Sequence, residues 1–292
     1  MNTSNQIALV GFASGVAANN QDCALGPWYL YYHPELWRNL ERGIYWEPMT
    51  HTTSSERGLK VLPLLEKKLE ELSRLLLPLI YKKTDFCVIG GDHSCGIATW
   101  SAVAHANRND GDIGLIWIDA HMDSHTLETT ISQNFHGMPV AHLLGKGEAS
   151  LHQLLDNSPK LKPENLCLIG VRSYQQSEAK LLAQLGVKVF FIEEVQQRGI
   201  DDVLAQACAL VSRTTCGMGI SIDLDAIDPD DAPGVGCREP GGIHAAALIR
   251  ALKAVDKNTP LLGFEIAEFN PLADEEGKTA KLVADLIGAI LR

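Results

Sequence analysis

The sequence lacks a long apolar run, paired cysteines and a surplus of positive charge, and each absence excludes a class of protein. Its first apolar stretch, IALVGF at residues 7–12, is too short for a membrane span, and the basic segment that opens a secretion signal is missing. The seven cysteines are scattered without a CxxC pair, which is typical of proteins from a reducing compartment. We therefore expect a cytoplasmic protein.

Basic residues are outnumbered by acidic ones, 25 to 36, which gives a formal net charge of −11. Such a chain repels phosphate backbones and anionic membrane surfaces. We therefore expect neither nucleic acid nor a membrane as a partner. The charge is compatible with a cationic small molecule or a metal-dependent site, and equally with the ordinary acidic surface of an enzyme.

Short apolar runs alternate with longer helix-like stretches, which is the pattern of repeated βα units around a parallel sheet. The runs are apolar almost throughout, as in strands that helices cover on both faces. No internal repeat, low-complexity tract or long linker interrupts the pattern. We predict an α/β fold, a three-layer α/β/α doubly wound arrangement with a mainly parallel sheet, in one domain that spans residues 1–292. The predicted strands cover residues 6–12, 86–91, 113–119, 166–171, 187–192, 218–225 and 261–268.

Two of the intervening stretches show the periodicity of an amphipathic helix. The first covers residues 61–80, and the second covers residues 177–186, with Ser177 as its N-cap and a stop near Gly186. In a doubly wound sheet the ligand site lies outside the carboxyl ends of the strands. The polar segments that directly follow the predicted strands are therefore the candidates for function.

The segment DAHMDSH, residues 119–125, places Asp119, His121 and Asp123 at alternate positions after an apolar run. Alternate residues of an extended strand share one face, so these three side chains are expected to point the same way. Asp223 and Asp225 in DLDAIDP repeat this spacing. The polar segments GGDHS and EFNP follow two further strands, so all four are expected to meet at one edge of the sheet.

With His93 of GGDHS, the set consists of four aspartates and two histidines. So many carboxylates repel one another and are costly to bury unless cations neutralise them. Two divalent cations would balance the four negative charges. Oxygen-rich ligation with one imidazole per ion favours two Mn²⁺, with Co²⁺, Ni²⁺ and Fe²⁺ as alternatives, because structural zinc prefers thiolates and Mg²⁺ seldom takes histidine.

GGDHS, DAHMDSH and SIDLDAIDP resemble the three signature motifs of the ureohydrolase family, which includes arginase, agmatinase and related guanidino-hydrolases. The resemblance runs from VGFASG at residues 10–15 to EFNP at residues 268–271, nearly the whole chain. It implies a hydrolase of the C–N bond of a guanidinium group and a homo-oligomer, a trimer or a hexamer. It also implies a nucleophile formed from water between two cations, which lower its pKa. By resemblance the first cation takes His93, Asp119, Asp123 and Asp223, and the second takes His121, Asp119, Asp223 and Asp225, so that Asp119 and Asp223 bridge.

The resemblance also assigns the catalytic side chains. His136 in SQNFHGMP lies at the mouth of the site in the family, and an imidazole exchanges protons near pH 7, so it is the candidate acid for the departing amine. Glu268 matches the family's glutamate, whose carboxylate pairs with the planar guanidinium and holds its carbon in place. Asp123 is counted with these two as a catalytic residue.

The loop of residues 128–145 is similar to the arginase segment that offers hydroxyl and amide groups to an α-carboxylate. Thr130, Ser132 and Asn134 occupy the matching positions, and neutral donors suit a carboxylate, which agmatine lacks. His125 stands where arginases usually have asparagine, and an imidazole still donates a hydrogen bond. These residues favour L-arginine as the substrate, converted to L-ornithine and urea.

Two features leave alternatives open. Gln175 stands where arginases carry an aspartate that faces the α-ammonium group, and only the nearby Glu178 is available to compensate. The segment CREPGG, residues 237–242, is more similar to the agmatinase branch. Hydrolysis of 4-guanidinobutyrate or agmatine therefore remains the alternative, and a catalytically silent family member is a less favoured one. A phosphoester-cleaving enzyme is disfavoured, because no glycine-rich phosphate loop or arginine clamp accompanies these motifs.

Overall fold

A nine-stranded sheet forms the centre of the protein, and its named strands pair in parallel. The computed structural model describes residues 6–256 and 258–292. The strand order is β2-β1-β4-β9-β8-β5-β6-β7, with β3 beside β1. The strands are β1 (Gln6–Ala13), β2 (Gly43–Trp46), β3 (Thr50–His51), β4 (Phe86–Gly90), β5 (Gly114–Ile118), β6 (Leu166–Val171), β7 (Lys188–Phe191), β8 (Met218–Asp223) and β9 (Leu261–Ala267).

Helices cover both faces of this sheet, so the predicted three-layer α/β/α fold is confirmed. The helices are α1 (Leu25–Tyr32), α2 (Leu62–Tyr81), α3 (Cys95–Ala106), α4 (Pro139–Leu143), α5 (Ala149–His152), α6 (Gln176–Leu185), α7 (Ile192–Arg198), α8 (Ile200–Val211), α9 (Ala245–Lys253) and α10 (Lys278–Ile290). Alternate residues of β1, β4, β5 and β6 belong to two separate apolar cores. Ile7 and Leu9 pack on the side of α8, α9 and α10, whereas Ala8 and Val10 pack on the side of α2 and α3. This double burial explains why the strands are apolar throughout.

The seven predicted strands and the helix predicted at residues 61–80 are present in the structure. The sequence analysis missed β2 and β3, which are short edge strands and only partly buried. Edge strands of this length carry too few residues for a periodic pattern. Among the described residues, no helix is both long enough and apolar enough to cross a membrane.

The prediction of Ser177 as the N-cap of α6 was wrong. Gln175 is the N-cap, and it forms a reciprocal capping box with Glu178: its side chain accepts from the Glu178 N–H, and its own N–H donates to Glu178 Oε2 over 2.9 Å. The predicted stop is confirmed, because Gly186 follows the last helical residue with a φ of 77°. Gln175 and Glu178 therefore have a structural role besides any contact with a ligand.

His142 in α4 is completely buried and neutral. Its Nδ1–H donates to the carbonyl oxygen of Met138 over 2.8 Å, while Nε2 accepts from the N–H of Glu148 over 3.0 Å. Burial lowers the pKa of His142 from its ordinary value of 6.5 to about 4. Gly147 lies against the ring, and a Cβ atom there would come within 2.3 Å of His142 Cδ2.

We predict that His142 makes the protein less stable as the pH falls from about 6.5 to about 4. The unfolded chain binds a proton on this imidazole in that window and the folded protein does not, so the loss reaches about 3 kcal/mol below the lower value. Urea unfolding of the wild type and His142→Asn at a series of pH values measures it. The variant is expected to be less stable at pH 7.5 but to lose less on acidification; parallel curves would contradict the assignment.

Candidate metal centre and active site

The four central strands β4, β9, β8 and β5 are consecutive in the sheet. Because they are parallel, their carboxyl ends meet at one edge, and the polar segments that follow them converge there. His93 lies between β4 and α3, Asp119 directly follows β5, Asp223 is the last residue of β8, and Glu268 directly follows β9. The fold thus places the predicted site residues beside one another.

The explanation by strand alternation was wrong. The strand β5 ends at Ile118, so Asp119, His121 and Asp123 lie in a loop, and Asp123 has a φ of 45°. Asp225 belongs to a short 3₁₀ helix at Leu224–Ala226 rather than to β8. Tight turns bring the groups together instead: Asp119 Oδ1 accepts from the His121 N–H over 2.7 Å, and Asp223 Oδ1 accepts from the Asp225 N–H over 2.9 Å.

His93 is the centre of the first group of predicted ligands. Its Nδ1 lies 3.3 Å from Asp119 Oδ2, 3.3 Å from Asp123 Oδ2 and 3.1 Å from Asp223 Oδ2. His93 Nδ1 and Asp123 Oδ2 are buried and have no hydrogen-bond partner. A buried nitrogen and a buried carboxylate oxygen without partners are costly. A cation among these four side chains would satisfy both atoms.

His121 is the centre of the second group. Its Nδ1 lies 3.4 Å from Asp119 Oδ1 and 3.1 Å from Asp225 Oδ2. Asp119 therefore offers one oxygen to each group, as expected of a residue that bridges two ions. The described side chains that approach closely enough to hold a metal include both His93 with Asp119 and Asp223, and His121 with Asp119 and Asp225.

Burial and mutual repulsion raise the pKa values of two of these aspartates. Burial, with the neighbouring charge of Asp119, raises the pKa of Asp123 to about 7. Burial and the charges of Asp225 and Asp119 raise the pKa of Asp223 well above its ordinary value. A carboxylate in such a site keeps its negative charge only if a cation compensates it. The donor set of oxygens with two imidazole nitrogens fits divalent ions of intermediate hardness.

Further side chains form hydrogen bonds to the predicted metal ligands and hold them in position. The sequence analysis did not identify these side chains. Trp117 Nε1 donates to Asp119 Oδ2 over 2.8 Å. The far nitrogen of His93, Nε2, contacts Ser221 Oγ at 2.9 Å, and that hydroxyl donates to Glu265 Oε1 over 2.7 Å. This chain of contacts orients the His93 ring so that Nδ1 faces the aspartates. Glu265 is a carboxylate within an apolar buried strand, and that signal is visible in the sequence.

Glu268 and His136 form a second pair beside the aspartates. Glu268 Oε1 accepts from the His93 N–H over 3.0 Å and lies 3.1 Å from His136 Nδ1. Desolvation disfavours the imidazolium, but the Glu268 carboxylate outweighs it and raises the pKa of His136 to about 9. Glu268 has a φ of 66°, a strained conformation for this residue, and its N–H donates to the Gly91 carbonyl over 2.8 Å. His136 is one-third exposed, so it reaches solvent and the site together.

A cavity of about 400 Å³ opens above these groups. Its walls include most of the predicted site residues, together with several that the sequence analysis missed. The predicted ones are His121, Asp123, His125, Ser132, Asn134, His136, Gln175, Glu178, Asp223, Asp225 and Glu268, and the others include Asn19, Asn20, Ser173, Tyr174, Gly236 and Cys237.

Thr130 is the exception among the predicted substrate contacts, because it does not line this cavity. Its hydroxyl accepts from the Gln133 N–H over 2.9 Å and closes a turn within its own loop. Ser132 also accepts locally, from the Asn134 N–H over 3.3 Å, but it remains in the wall of the cavity. The loop therefore offers two neutral polar side chains to a ligand rather than three.

Known proteins are similar to this chain in sequence and in architecture. A sequence profile of the Arginase family matches residues 5–292. The chain belongs to the arginase family. The arginase of Brevibacillus brevis is 33% identical over 291 residues, 97% of each chain. The arginase of Bacillus caldovelox is 41% identical over 204 residues, 70% of this chain and 67% of the relative.

Solved structures agree with this assignment. The native structure of arginase from Bacillus caldovelox at pH 5.6 superposes with a TM-score of 0.91 at 32% identity, and 98% of each chain is covered. The crystal structure of arginase from Bacillus subtilis gives a TM-score of 0.88 at 31% identity, with the same coverage. The predicted ureohydrolase family and the predicted hydrolase activity on guanidino C–N bonds are therefore confirmed.

We predict that Mn²⁺ stabilises this arginase family member and that Asp123→Asn removes much of the effect. Asparagine suits the positive φ of residue 123 and lessens repulsion in the metal-free protein, so stability without metal should be maintained. Saturation of one site at about 100 times its Kd contributes about 2.7 kcal/mol. Thermal unfolding with and without Mn²⁺, together with elemental analysis, measures the effect.

The exposed Asp230 supplies a matched control for this measurement. Asp230→Asn is expected to keep the full rise in melting temperature and two ions per chain. An equal rise in Asp123→Asn and the wild type would show that Asp123 is not a ligand.

Proposed function

We propose that this chain is a manganese-dependent arginase that hydrolyses L-arginine to L-ornithine and urea. The observation that carries the proposal is the pair of imidazole nitrogens, His93 Nδ1 and His121 Nδ1, each 3.1–3.4 Å from aspartate oxygens and joined through Asp119. The cavity of about 400 Å³ above them has the volume of a site for one small molecule. The arginases that are similar over most of the chain support the same activity.

The residues fit two divalent cations. His93, Asp119, Asp123 and Asp223 would hold the first, while His121, Asp119, Asp223 and Asp225 would hold the second. When bound, the two cations supply a water that is acidic enough to attack carbon at neutral pH. Mn²⁺ is proposed over Co²⁺, Ni²⁺ and Fe²⁺, since most ligand atoms are carboxylate oxygens.

Glu268 and His136 provide orientation and a proton. The buried Glu268 carboxylate pairs with a guanidinium cation and holds its plane against the aspartate cluster. His136, with its raised pKa, carries a proton at neutral pH, and collapse of the tetrahedral intermediate requires a proton on the departing amine nitrogen. Because His136 is partly exposed, its proton is replaced from solvent.

The outer end of the cavity decides between guanidino compounds. His125, Ser132 and Asn134 are neutral or basic hydrogen-bonding groups that suit the α-carboxylate of an amino acid. Glu178 is fully engaged: Oε1 accepts from the Ser124 N–H over 3.2 Å, and Oε2 accepts from the Gln175 N–H over 2.9 Å and lies 3.2 Å from His125 Nε2. Little carboxylate capacity remains for an α-ammonium group, which supports 4-guanidinobutyrate as the second candidate substrate.

We propose one catalytic domain over residues 1–292, a homo-oligomer of three or six chains and a cytoplasmic location. The single continuous sheet and the match to residues 5–292 support the first of these.

Urea release from L-arginine, agmatine and 4-guanidinobutyrate by the Mn²⁺-loaded protein tests the substrate. We expect the highest kcat/KM with L-arginine, because it alone presents both the guanidinium group and an α-carboxylate at the full chain length. Ready hydrolysis of 4-guanidinobutyrate with no urea from arginine would replace the first candidate by the second. No urea from any of the three compounds would indicate a silent family member.

Gln175→Asp sharpens this comparison. A carboxylate at this position would attract the α-ammonium group of arginine, so its kcat/KM is expected to rise several-fold, up to about tenfold for 1.4 kcal/mol. The same charge would repel the carboxylate of 4-guanidinobutyrate and slow its hydrolysis.

We predict that His136→Asn lowers kcat by about 10²–10⁴-fold, because general acid catalysis contributes an effect of this size. KM should change little, since Glu268 still binds the guanidinium group. Steady-state kinetics with Mn²⁺ content measured in the same samples separates the loss of a proton donor from the loss of metal. A full rate with normal metal content would exclude His136 as the donor.

A further inference from the structure

The Nε2 atom of His121 points away from the aspartates and toward a second group of potential metal ligands. This atom lies 3.5 Å from Glu239 Oε1, and Cys237 Sγ lies 3.7 Å from the same oxygen. The three atoms of His121, Cys237 and Glu239 all lie within 4.8 Å of one another. We call this cluster the outer site. Its Cys237 and Glu239 belong to the CREPGG segment, which the proposed mechanism does not use.

Two of the three ligand-atom separations in the outer site match those around a tetrahedral metal. With bonds of about 2.0–2.2 Å to nitrogen and oxygen and about 2.3 Å to sulfur, ligand atoms of a tetrahedral zinc ion are separated by about 3.4 Å for N–O and about 3.6 Å for S–O. The observed separations are 3.5 Å and 3.7 Å. As a hydrogen bond, 3.5 Å between nitrogen and oxygen is long. One nitrogen, one sulfur and one oxygen are also a soft donor set that prefers Zn²⁺ to Mn²⁺.

The backbone around the outer site is held in place. Arg172 Nη2 donates to the carbonyl oxygens of Glu239 and Asp225, each over 2.7 Å, and Arg172 Nε donates to the Pro240 carbonyl over 3.1 Å. The guanidinium group of Arg172 thus connects the CREPGG segment to the segment that contains Asp225. Cys237 is exposed and lines the 400 Å³ cavity, so a cation can reach the outer site from that cavity.

The outer site and the inner centre share one imidazole. A neutral imidazole has a lone pair on one nitrogen and a hydrogen on the other, so it binds one cation at a time. With Nδ1 on an inner cation, Nε2 carries the hydrogen toward Glu239. With Nε2 on an outer cation, Nδ1 carries the hydrogen and donates it to Asp119 or Asp225, whose oxygens lie 3.4 Å and 3.1 Å away.

We propose that His121 Nε2, Cys237 Sγ and Glu239 form an inhibitory Zn²⁺ site at the mouth of the cavity, whose occupation withdraws His121 from the catalytic metal centre. The zinc site itself stands on the outer residues alone, whereas its inhibitory effect rests on the proposed function. An arginase with this site loses activity when the concentration of free Zn²⁺ increases. Manganese and zinc therefore oppose each other through the tautomer of a single histidine.

Co²⁺ is the probe for the outer site, because thiolate ligation to Co²⁺ gives an intense near-ultraviolet charge-transfer band that carboxylates and imidazoles do not give. Because Co²⁺ also suits the inner centre, the titration uses metal-free Asp225→Asn, which lacks the inner carboxylate 3.1 Å from His121 Nδ1. This protein is expected to develop the band on titration with Co²⁺, its combination with Cys237→Ser to lack it, and its combination with Cys216→Ser to keep it. Cys216 is the matched control, a partly exposed thiol outside the cavity. No band in Asp225→Asn, or an undiminished band after the further change Cys237→Ser, would overturn the site.

Zn²⁺ added to the Mn²⁺-loaded protein tests the opposition of the two metals. Paramagnetic resonance of aqueous Mn²⁺ measures release while urea formation is followed. Wild type is expected to release Mn²⁺ and lose activity at zinc concentrations at least tenfold below those needed by Cys237→Ser. Equal zinc sensitivity of both proteins would mean that zinc replaces the inner ions directly, and the proposal would be wrong. Failure of the arginase assay itself would contradict the proposed function and leave the Co²⁺ band unaffected.

Discussion

Repulsion among four buried aspartates is the constraint on which the rest of the site depends. Each carboxylate gives up hydration on burial, and each raises the free energy of ionising its neighbours, as the raised pKa values of Asp123 and Asp223 show. Two imidazole nitrogens compensate only part of this charge. The fold holds the cluster together because backbone N–H groups and Trp117 donate to Asp119 and Asp223. These contacts fix the positions of the carboxylates. The negative charge that remains favours the binding of divalent cations.

The sheet makes this arrangement rigid. Strands covered by helices on both faces leave their carboxyl ends with a fixed spacing, and short turns then aim the side chains. Asp123 and Glu268 both adopt positive φ values. Their backbones are anchored, since the Asp123 carbonyl accepts from the Val140 N–H over 2.8 Å and the Glu268 N–H donates to Gly91 over 2.8 Å. The strain in two site residues is thus balanced by hydrogen bonds to neighbouring elements.

The parallel sheet and the convergence of the polar segments could be predicted from the sequence. A buried parallel strand appears in the sequence as an apolar run, and the first polar residues after the run mark the end of the strand. The prediction failed where the outcome depends on turns. Asp119 and Asp123 converge through a loop and not along a strand, and Thr130 turns back into its own loop. Contacts between distant segments, such as Ser221 with His93, have no local pattern at all, although the buried Glu265 in an apolar strand is a visible exception.

The capping box of α6 connects helix stability with the selectivity that we propose for the cavity. Glu178 must keep its carboxylate toward the Gln175 and Ser124 N–H groups, since loss of such a cap costs about 1 kcal/mol and leaves the buried Ser124 N–H without a partner. A residue committed in this way is a poor partner for a mobile ammonium group, and His125 already occupies its second face. In the proposed arginase, discrimination for or against an α-amino group would therefore fall to position 175, whose side chain in this chain is a neutral amide. The start of α6 and the proposed specificity of the cavity consequently involve the same two residues.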